Sequence, residues 1–242
     1  MKIATWNLES SNRLTPTRRT ALLKAMQKVN ADVWVLTETW TDFSLGPDLP
    51  GFLRVAQSKP ALDLTPERRW VAIWVKTALK GTPERPEVQS DRMACARLTQ
   101  PGQRDIVVVG TVLPWPNDPQ WPGAKGFCKA LDAQAREWKR LRGKPETCTL
   151  VVAGDFNQSF PYQRYYGSKD GANALSKPRP DLDLDCLTSG DDPQTGKPRI
   201  DHICISRCGP PPPLSPRIDT WKVPCIGKKP ITDHAGVSAD LS

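Results

Sequence analysis

The stretch LVVAGDFNQS, residues 150–159, starts as a buried strand and ends in polar side chains. Its first four residues are all apolar, which is typical of a strand that is covered on both faces. Gly154 ends this run, and Asp155 and Asn157 follow it. Carboxylates and amides pack poorly in a core, but at a sheet edge they are well placed to reach a metal ion or a phosphate. We therefore expect a site here that is completed by partners from other strands.

Other predicted strands also end in polar residues. KIATWN ends in an amide, DVWVLTE ends in a carboxylate, and RIDHICIS and ITDHAGVSADLS carry acids and a histidine beside apolar runs. One site that used all of them would need strands from the whole chain. In chain order, these polar positions are Asn7, Glu38, Asp155, Asn157, Asp201, Asp233 and His234.

Two helices are predicted from capping residues and apolar spacing. Thr15 is a good N-cap with Pro16 at the first helical position, and apolar residues then recur every three to four positions as far as Val29. A second apolar stripe runs through residues 125–142, and Gly143 stands where a C-terminal cap belongs. Both helices are expected to cover a sheet.

The remaining pattern is mostly that of strands. RRWVAIWVK, MACARL and DIVVVGTVL predict strands that are separated by turns, whereas residues 158–199 are predicted to be irregular. GPPPPLSP is expected to be extended and exposed. Many strands with two helices predict an α+β fold, in which two packed, mainly antiparallel sheets are flanked by helices. We expect a single domain over residues 1–242.

Composition favours a phosphate-rich partner. The 242 residues include 34 Lys and Arg against 26 Asp and Glu, which gives a net charge of +8. No apolar stretch is long enough for a transmembrane segment, and the first residues carry no secretion signal, so a cytoplasmic location is expected. Much of the basic charge falls on the predicted helices, where solvated faces would explain it. These residues are Arg18, Arg19, Lys24, Lys28, Arg136, Lys139, Arg140 and Arg142.

The seven cysteines do not form a metal-binding pattern. They include no C-x-x-C pair, and most are expected to be buried or idle thiols. Cys204 and Cys208 flank the sequence ISR, but no second pair has ligand spacing, so metal binding by cysteine is disfavoured.

Five motifs together resemble those of a known family. TWNLES, TETW, GDFN, RIDHI and TDHAGV, in this order and over nearly the whole chain, are similar to the motif set of the endonuclease/exonuclease/phosphatase superfamily. The resemblance implies a four-layered α/β sandwich. It also implies metal-dependent hydrolysis of phosphate esters.

Converging carboxylates call for a cation, because they would otherwise raise one another's pKa values. Mg²⁺ prefers one or two carboxylates together with water and phosphate oxygens, which suits Glu38 as the principal ligand, and Mn²⁺ is an alternative. The resemblance implies the same residue. Asn7 is expected to support the metal's shell or a phosphate oxygen, and Asp233 to help the metal or the leaving group.

The hydrolytic roles follow from the resemblance and from the chemistry of water attack. Asp155 is the implied base that orients the water and accepts its proton, and the amide of Asn157 is expected to donate to a phosphate oxygen. His234 is expected to stabilise negative charge, held in place by Asp201. Alternation along RIDHICIS puts His202 on the opposite face of its strand, where a structural role is expected.

One position departs from the family pattern. Family members commonly carry a Tyr or His at the end of the middle strand, where this chain has Val112 or Leu113 within GTVLPWP. Thr111 and Trp115 are polar alternatives nearby, but neither has a pKa suited to proton transfer near neutrality. The departure argues against a close relative of abasic-site nucleases.

The substrate hypotheses depend on basic and aromatic residues. FPYQRYYGSKDG interleaves tyrosines with Arg164, a mixture that suits either base stacking or a packed surface loop, and Lys228 and Lys229 are expected on the cleft rim as phosphate contacts. A Mg²⁺-dependent nuclease is the first hypothesis. One alternative is an enzyme for a phospholipid, inositol phosphate or small nucleotide. Another is a non-catalytic binding module, against which Glu38, Asp155 and His234 argue.

Overall fold

Two six-stranded mixed sheets form the centre of the molecule. The computed structural model describes residues 1–12, 14–46, 48–61, 65–99, 101–144, 147–161, 165–177, 182–206 and 216–241. In spatial order the first sheet contains β11 (Arg217–Trp221), β14 (Gly236–Asp240), β1 (Lys2–Asn7), β2 (Val33–Trp40), β4 (Arg68–Lys76) and β3 (Phe52–Gln57). The second contains β5 (Lys80–Glu84), β6 (Met93–Thr99), β7 (Asp105–Val112), β8 (Cys148–Asp155), β10 (Asp201–Ser206) and β9 (Leu184–Cys186). A small hairpin pairs β12 (Cys225–Ile226) with β13 (Lys229–Pro230).

Each sheet has one parallel pair of strands at its centre and antiparallel pairs on both sides. β1 pairs with β2 in parallel, and β7 with β8. A parallel pair needs a long crossover, which is usually a helix. Here the crossovers are α1 (Pro16–Val29) and α2 (Gly123–Arg142), and a third helix, α3 (Lys169–Ser176), follows β8. Most of the remaining pairs are antiparallel, which confirms the predicted α+β class.

Alternating side chains produce the four layers. Val33 and Val35 of β2 face the second sheet, whereas Trp34 and Leu36 lie beneath α1. Likewise Val151 of β8 lies between the sheets, while its neighbours pack under α2. The order is therefore helix, sheet, sheet, helix, with an apolar core in each of the three gaps.

The long elements were predicted closely, and the short ones were missed. Thr15 caps α1 through a hydrogen bond from the Arg18 N–H to its Oγ1, 3.2 Å, and Gly143 ends α2 as expected. The expectation that residues 158–199 are irregular was wrong, because α3 and β9 lie there. The strand β9 has three residues and the helix α3 has eight, so neither repeats its period often enough to be recognised in the sequence.

Two further expectations concerned the proline-rich stretch and membrane-spanning segments. Nearly all of GPPPPLSP lies outside the described residues. Among the residues that are described, no helix is long and apolar enough to span a membrane.

Candidate active site

The polar strand ends meet at one edge of the two sheets. β1 and β2 of the first sheet and β8 and β10 of the second bring their ends together, and the loop before β14 approaches from the side. The structure thus collects residues that the sequence separates by more than two hundred positions. The residues brought together are Asn7, Glu38, Asp155, Asn157, Asp201, Asp233 and His234.

Asn7 bridges the two sheets. Its Nδ2 donates to Glu38 Oε1 at 2.9 Å and to Asp155 Oδ2 at 3.0 Å, while its Oδ1 accepts from the Glu9 N–H at 2.8 Å. Asn7 is fully buried. In this arrangement the amide donates to both carboxylates and holds them in position.

The turn after β8 fixes Asp155 and Asn157. Gly154 has φ +144°, and a Cβ there would lie 2.0 Å from the carbonyl oxygen of Thr111, so only glycine fits. Asp155 Oδ1 accepts from the Asn157 N–H at 2.8 Å, and Asn157 Nδ2 donates to the Leu113 carbonyl at 2.9 Å. One amide hydrogen of Asn157 is therefore used to hold the turn, and the second is left for a ligand.

Glu38 lies in a strained backbone position within β2. Its φ is +43°, which is rare for a residue with a side chain, and the pairing of β2 with β4 skips it. Such positions cost about 1–3 kcal/mol and cluster at functional sites. Burial raises the pKa of Glu38 above its ordinary value, although the hydrogen bond from Asn7 opposes this.

Asp155 and Asp201 face each other across β8 and β10. They are register partners, and the Phe156 N–H to Ile200 carbonyl bond shows that the adjacent pair is the hydrogen-bonded one. Asp155 and Asp201 therefore form a non-hydrogen-bonded pair, in which side chains approach most closely. Burial and then the nearby Asp201 charge raise the pKa of Asp155 to about 7.

His234 is held as an ion pair with Asp201. Its Nδ1–H donates to Asp201 Oδ2 at 2.6 Å, and its backbone N–H donates to Thr232 Oγ1 at 3.2 Å. Thr232 Oγ1 in turn donates to the Asn7 carbonyl at 2.9 Å, which ties the last loop to the first strand. Burial lowers the pKa of His234, but Asp201 outweighs it and raises that pKa well above the ordinary value.

The cluster has the chemistry of a cation site. Within the described ranges, ligand atoms of Asp155, Asp201 and His234 all lie within 4.8 Å of one another. Asp201 Oδ1 is buried and has no hydrogen-bond partner there. A buried carboxylate oxygen without a partner is costly, and a divalent cation would satisfy it. Asp233 is 71% exposed, with Oδ1 3.8 Å from His234 Nε2, so it lies at the rim of this cluster.

A cleft of about 270 Å³ opens beside His234 and Asp201. Its other walls include Tyr165, Tyr166 and Lys197. Burial and the charges of nearby carboxylates, Asp155 first among them, raise the pKa of Tyr166. A phenol therefore reaches the site from the loop after β8. The sequence suggested either base stacking or a packed surface loop here, because nothing in its pattern shows which tyrosine turns inward.

The end of β7 supplies no acid or base, as the sequence indicated. Val112 is buried between the sheets and Leu113 beneath α2. The Thr111 hydroxyl donates to Gln134 of α2, so it faces the helix. Trp115 packs against Trp70 with ring centroids 5.5 Å apart, which makes it a packing residue. None of these four substitutes for the family's Tyr or His.

The basic residues that were predicted to contact phosphate, and the second histidine, lie outside the cluster of polar strand ends or outside the described residues. Lys228 and Lys229 are exposed on the β12–β13 hairpin, which the Ile231 N–H to Pro224 carbonyl bond closes just before the catalytic loop. Arg164 lies outside the described residues. His202 points to the α2 side of β10, away from Asp201, and its Nε2 lies 3.0 Å from the Gln158 carbonyl.

The expectation that all helix charges are solvated was wrong for two arginines. Arg18 is only 5% exposed, and its guanidinium donates to the carbonyls of Leu8 at 2.6 Å and Ile231 at 2.7 Å. It also stacks over the Trp40 ring at 5.0 Å. Arg142 is buried too and donates to the Leu182 carbonyl. Arg18 thus joins the loop after β1 to the loop that carries His234.

Comparison with known proteins gives a consistent picture. The model of the Endonuclease/Exonuclease/phosphatase family matches residues 4–234. The sequence matches no curated protein.

Among solved structures, D. rerio TDP2 complexed with single-strand DNA product aligns with a TM-score of 0.68 and 15% identity, over 99% of this chain and 97% of that one. ANGEL2, a 2′,3′-cyclic phosphatase in complex with adenosine-2′,3′-vanadate, aligns with 0.63 and 16%, over 98% and 94%. A mannosyl-6-phosphatase of Bacteroides thetaiotaomicron aligns with 0.67 and 15%, over 99% and 98%. These likenesses show the fold.

Proposed function

Since the chain belongs to the Endonuclease/Exonuclease/phosphatase family, whose members are hydrolytic phosphoesterases, we propose that it is a divalent-cation-dependent phosphodiesterase acting on nucleic acid. The observation that carries this proposal is the continuous contact from Glu38 through Asn7 and Asp155 to Asp201 and His234. Such a buried, charged arrangement costs stability, which argues against a purely structural role. For the same reason it argues against a non-catalytic binding module.

Asp155 is the base of the proposed reaction. A base works best when its pKa lies near the working pH, and the pKa of Asp155 is about 7. It accepts a proton from the water that attacks phosphorus. The Asn157 N–H that donates to its Oδ1 fixes the orientation of the carboxylate.

His234 provides positive charge for the phosphate. Its Nδ1–H is bound to Asp201, which fixes the ring and keeps the imidazolium protonated, so the Nε2–H is available to a phosphate oxygen. Negative charge grows on that oxygen in the transition state, and a donor already in position stabilises it without reorganisation.

Glu38 and Asp201 are the residues that would hold the cation, Mg²⁺ or Mn²⁺, with Asp233 at the rim, and Asp155 is left to act as the base. When bound there, such an ion neutralises the carboxylates and polarises a phosphate oxygen. Asn7 holds Glu38 and Asp155 in place through its two donated hydrogen bonds.

Nucleic acid is the substrate class that the surroundings of the cleft favour. Tyr165 is 48% exposed, and Lys197 Nζ lies 5.8 Å from its ring centroid, so an aromatic face and a cation stand together at the entrance. Such pairs suit a base and its neighbouring phosphate. The net charge of +8 acts in the same direction.

A small phosphate ester is the second candidate, with a nucleotide, sugar or inositol phosphate as substrate. The cleft beside His234, with a volume of about 270 Å³, lies near the lower end of the range for small-molecule pockets. A phospholipid headgroup is tested by the same assay.

The test is a substrate panel with Mg²⁺ or Mn²⁺ and with EDTA. It contains duplex and single-stranded DNA, RNA, phosphoinositides, nucleotides and sugar phosphates, and uses wild type, Glu38→Gln and the control Asp42→Asn, an exposed carboxylate. We expect cation-dependent cleavage of a nucleic acid, and a loss of about 10²-fold or more in Glu38→Gln, because charge stabilisation by a metal is worth several kcal/mol.

Three results would count against the proposal. Full activity in EDTA, or an undiminished Glu38→Gln variant, excludes cation-assisted hydrolysis. Cleavage of phosphoinositides, nucleotides or sugar phosphates alone selects the second candidate. No hydrolysis of any substrate by the folded protein selects the non-catalytic module.

A further inference from the structure

A second cavity lies on the α2 side of the second sheet. It measures about 370 Å³, and apolar side chains such as Leu131, Trp138 and Phe160 form much of its wall. Four polar residues of β9 and β10 line it, namely Asp185, Cys186, His202 and Cys204. Because the side chains of β10 alternate, these groups are separated by the sheet from Asp201 and the catalytic cleft.

Cys186 and Cys204 are direct cross-strand neighbours. They are register partners in the antiparallel pair of β9 and β10. The Leu187 N–H donates to the Ile203 carbonyl at 2.9 Å, so that adjacent pair is the hydrogen-bonded one. Cys186 and Cys204 therefore occupy a non-hydrogen-bonded pair, where Cα atoms lie about 4.5 Å apart and a disulfide bond can form without moving the backbone. Both thiols are free in this structure.

The two thiols differ in their surroundings. His202 Nδ1 lies 3.5 Å from Cys186 Sγ. The hydrogen bond from Cys204, together with this imidazole, holds the pKa of Cys186 well below its ordinary value, although burial opposes the shift. The same bond, followed by burial, raises the pKa of Cys204. Cys186 is thus the nucleophile of the pair, and Cys204 is the thiol beside it.

We propose that Cys186 and Cys204 form an oxidation site, at which a small hydroperoxide that enters the cavity converts the two thiols into a cross-strand disulfide. The Cys186 thiolate attacks the peroxide oxygen, the O–O bond breaks, and an alkoxide or hydroxide leaves, which yields a sulfenic acid. The Cys204 sulfur then attacks the Cys186 sulfur, the S–O bond breaks, and water leaves with the Cys204 proton. Two thiols are oxidised by two electrons, and the peroxide is reduced.

The other described cysteines lack this combination. Cys95 is buried, and its desolvation raises the pKa of its thiol far above the ordinary value. Cys225 is exposed but pairs in register with Pro230. In the described part of the chain, Cys186 and Cys204 are the two cysteines that are register partners.

The experiment treats the folded chain with hydrogen peroxide, blocks the remaining thiols, and maps disulfides by mass spectrometry without reduction. Wild type is expected to lose two hydrogens and yield a linked Cys186–Cys204 peptide. Cys204→Ser should stop at the sulfenic acid on Cys186, and dimedone adducts should form about tenfold faster on Cys186 than on Cys225, because the imidazole of His202 beside Cys186 favours its thiolate. Cys225→Ser, the matched control, should behave as wild type.

Several outcomes would overturn the proposal. One is a disulfide bond that joins Cys186 to Cys208 or Cys225. Another is a dimedone adduct that forms on Cys204 before it forms on Cys186. A third is oxidation of Cys186 that is no faster than that of Cys225. Circular dichroism of each variant before treatment shows whether it is folded. If Cys204→Ser does not fold, Cys204→Ala tests the same step, since alanine keeps the site apolar and removes the second thiol.

Discussion

Replacing Asp155 by Asn should stabilise the metal-free protein increasingly as the pH rises. Burial and Asp201 raise the pKa of Asp155 from 3.8 to about 7. A carboxyl group whose pKa is higher in the folded state binds its proton more tightly there than in the unfolded chain. The stability that this group contributes is therefore fully present below its pKa in the unfolded chain. It is lost as the pH rises through its pKa in the folded protein.

The size of the effect follows from the two pKa values. Relative to the unfolded chain, burying this carboxyl costs about 2 kcal/mol at pH 5, where it must bind a proton, and about 4 kcal/mol at pH 8, where it is ionised. Asn cannot ionise, so it avoids this cost. Its Nδ2 would, however, face Asn7 Nδ2, which now donates to Asp155 Oδ2 at 3.0 Å. Two opposed donors cost about 1–3 kcal/mol at every pH. The difference between variant and wild type should thus grow by about 2 kcal/mol from pH 5 to pH 8.

The assay is urea unfolding in EDTA at pH values from 5 to 8, with linear extrapolation of the free energy of unfolding to water. Asp42→Asn, a change at an exposed carboxylate, is the control and should show a difference from wild type that barely changes with pH. A difference for Asp155→Asn that stays constant, or shrinks, as the pH rises would refute the account of Asp155 as a charge held against burial and repulsion.

Three further predictions concern the surroundings of the site. Asp201→Asn should lower the pKa of His234, as measured by NMR, because the negative charge beside Nδ1 is lost. The basic limb of the pH–rate profile should move to lower pH for the same reason. An unchanged pKa of His234 in this variant would contradict the prediction. Arg18→Met should lower the free energy of unfolding by about 3 kcal/mol or more, since buried carbonyls lose their donors. Lys24→Met, a change at an exposed residue of the same helix, should alter it by less than about 0.5 kcal/mol. Equal effects of the two substitutions would disprove the bridging role of Arg18. The double variant Lys228→Ala and Lys229→Ala should reduce the slope of log binding constant against log salt concentration for nucleic acid by about one to two, while hydrolysis of a minimal phosphodiester barely changes. The control is the double variant Lys24→Ala and Lys28→Ala, both exposed on α1. If both double variants showed the same slope, the hairpin would not be part of the binding surface.

The sequence by itself determined the long elements and the identity of the polar strand ends. Periodicity and caps are local properties, so Thr15 was enough to place the start of α1 and Gly143 the end of α2. Strands of eight or nine residues, such as β4 and β8, were equally visible from their apolar runs. The ordered motifs then indicated the family without any knowledge of strand pairing.

Only the tertiary structure decided which groups touch and what that contact does to them. That Asp155 faces Asp201 depends on the register of two strands, and the raised pKa of Asp155 depends on what covers both. The burial of Arg18 and the approach of Tyr166 depend on loops whose sequences carry no period. Hydrogen-bond pairing and desolvation involve residues that are distant along the chain, so a local pattern cannot contain them.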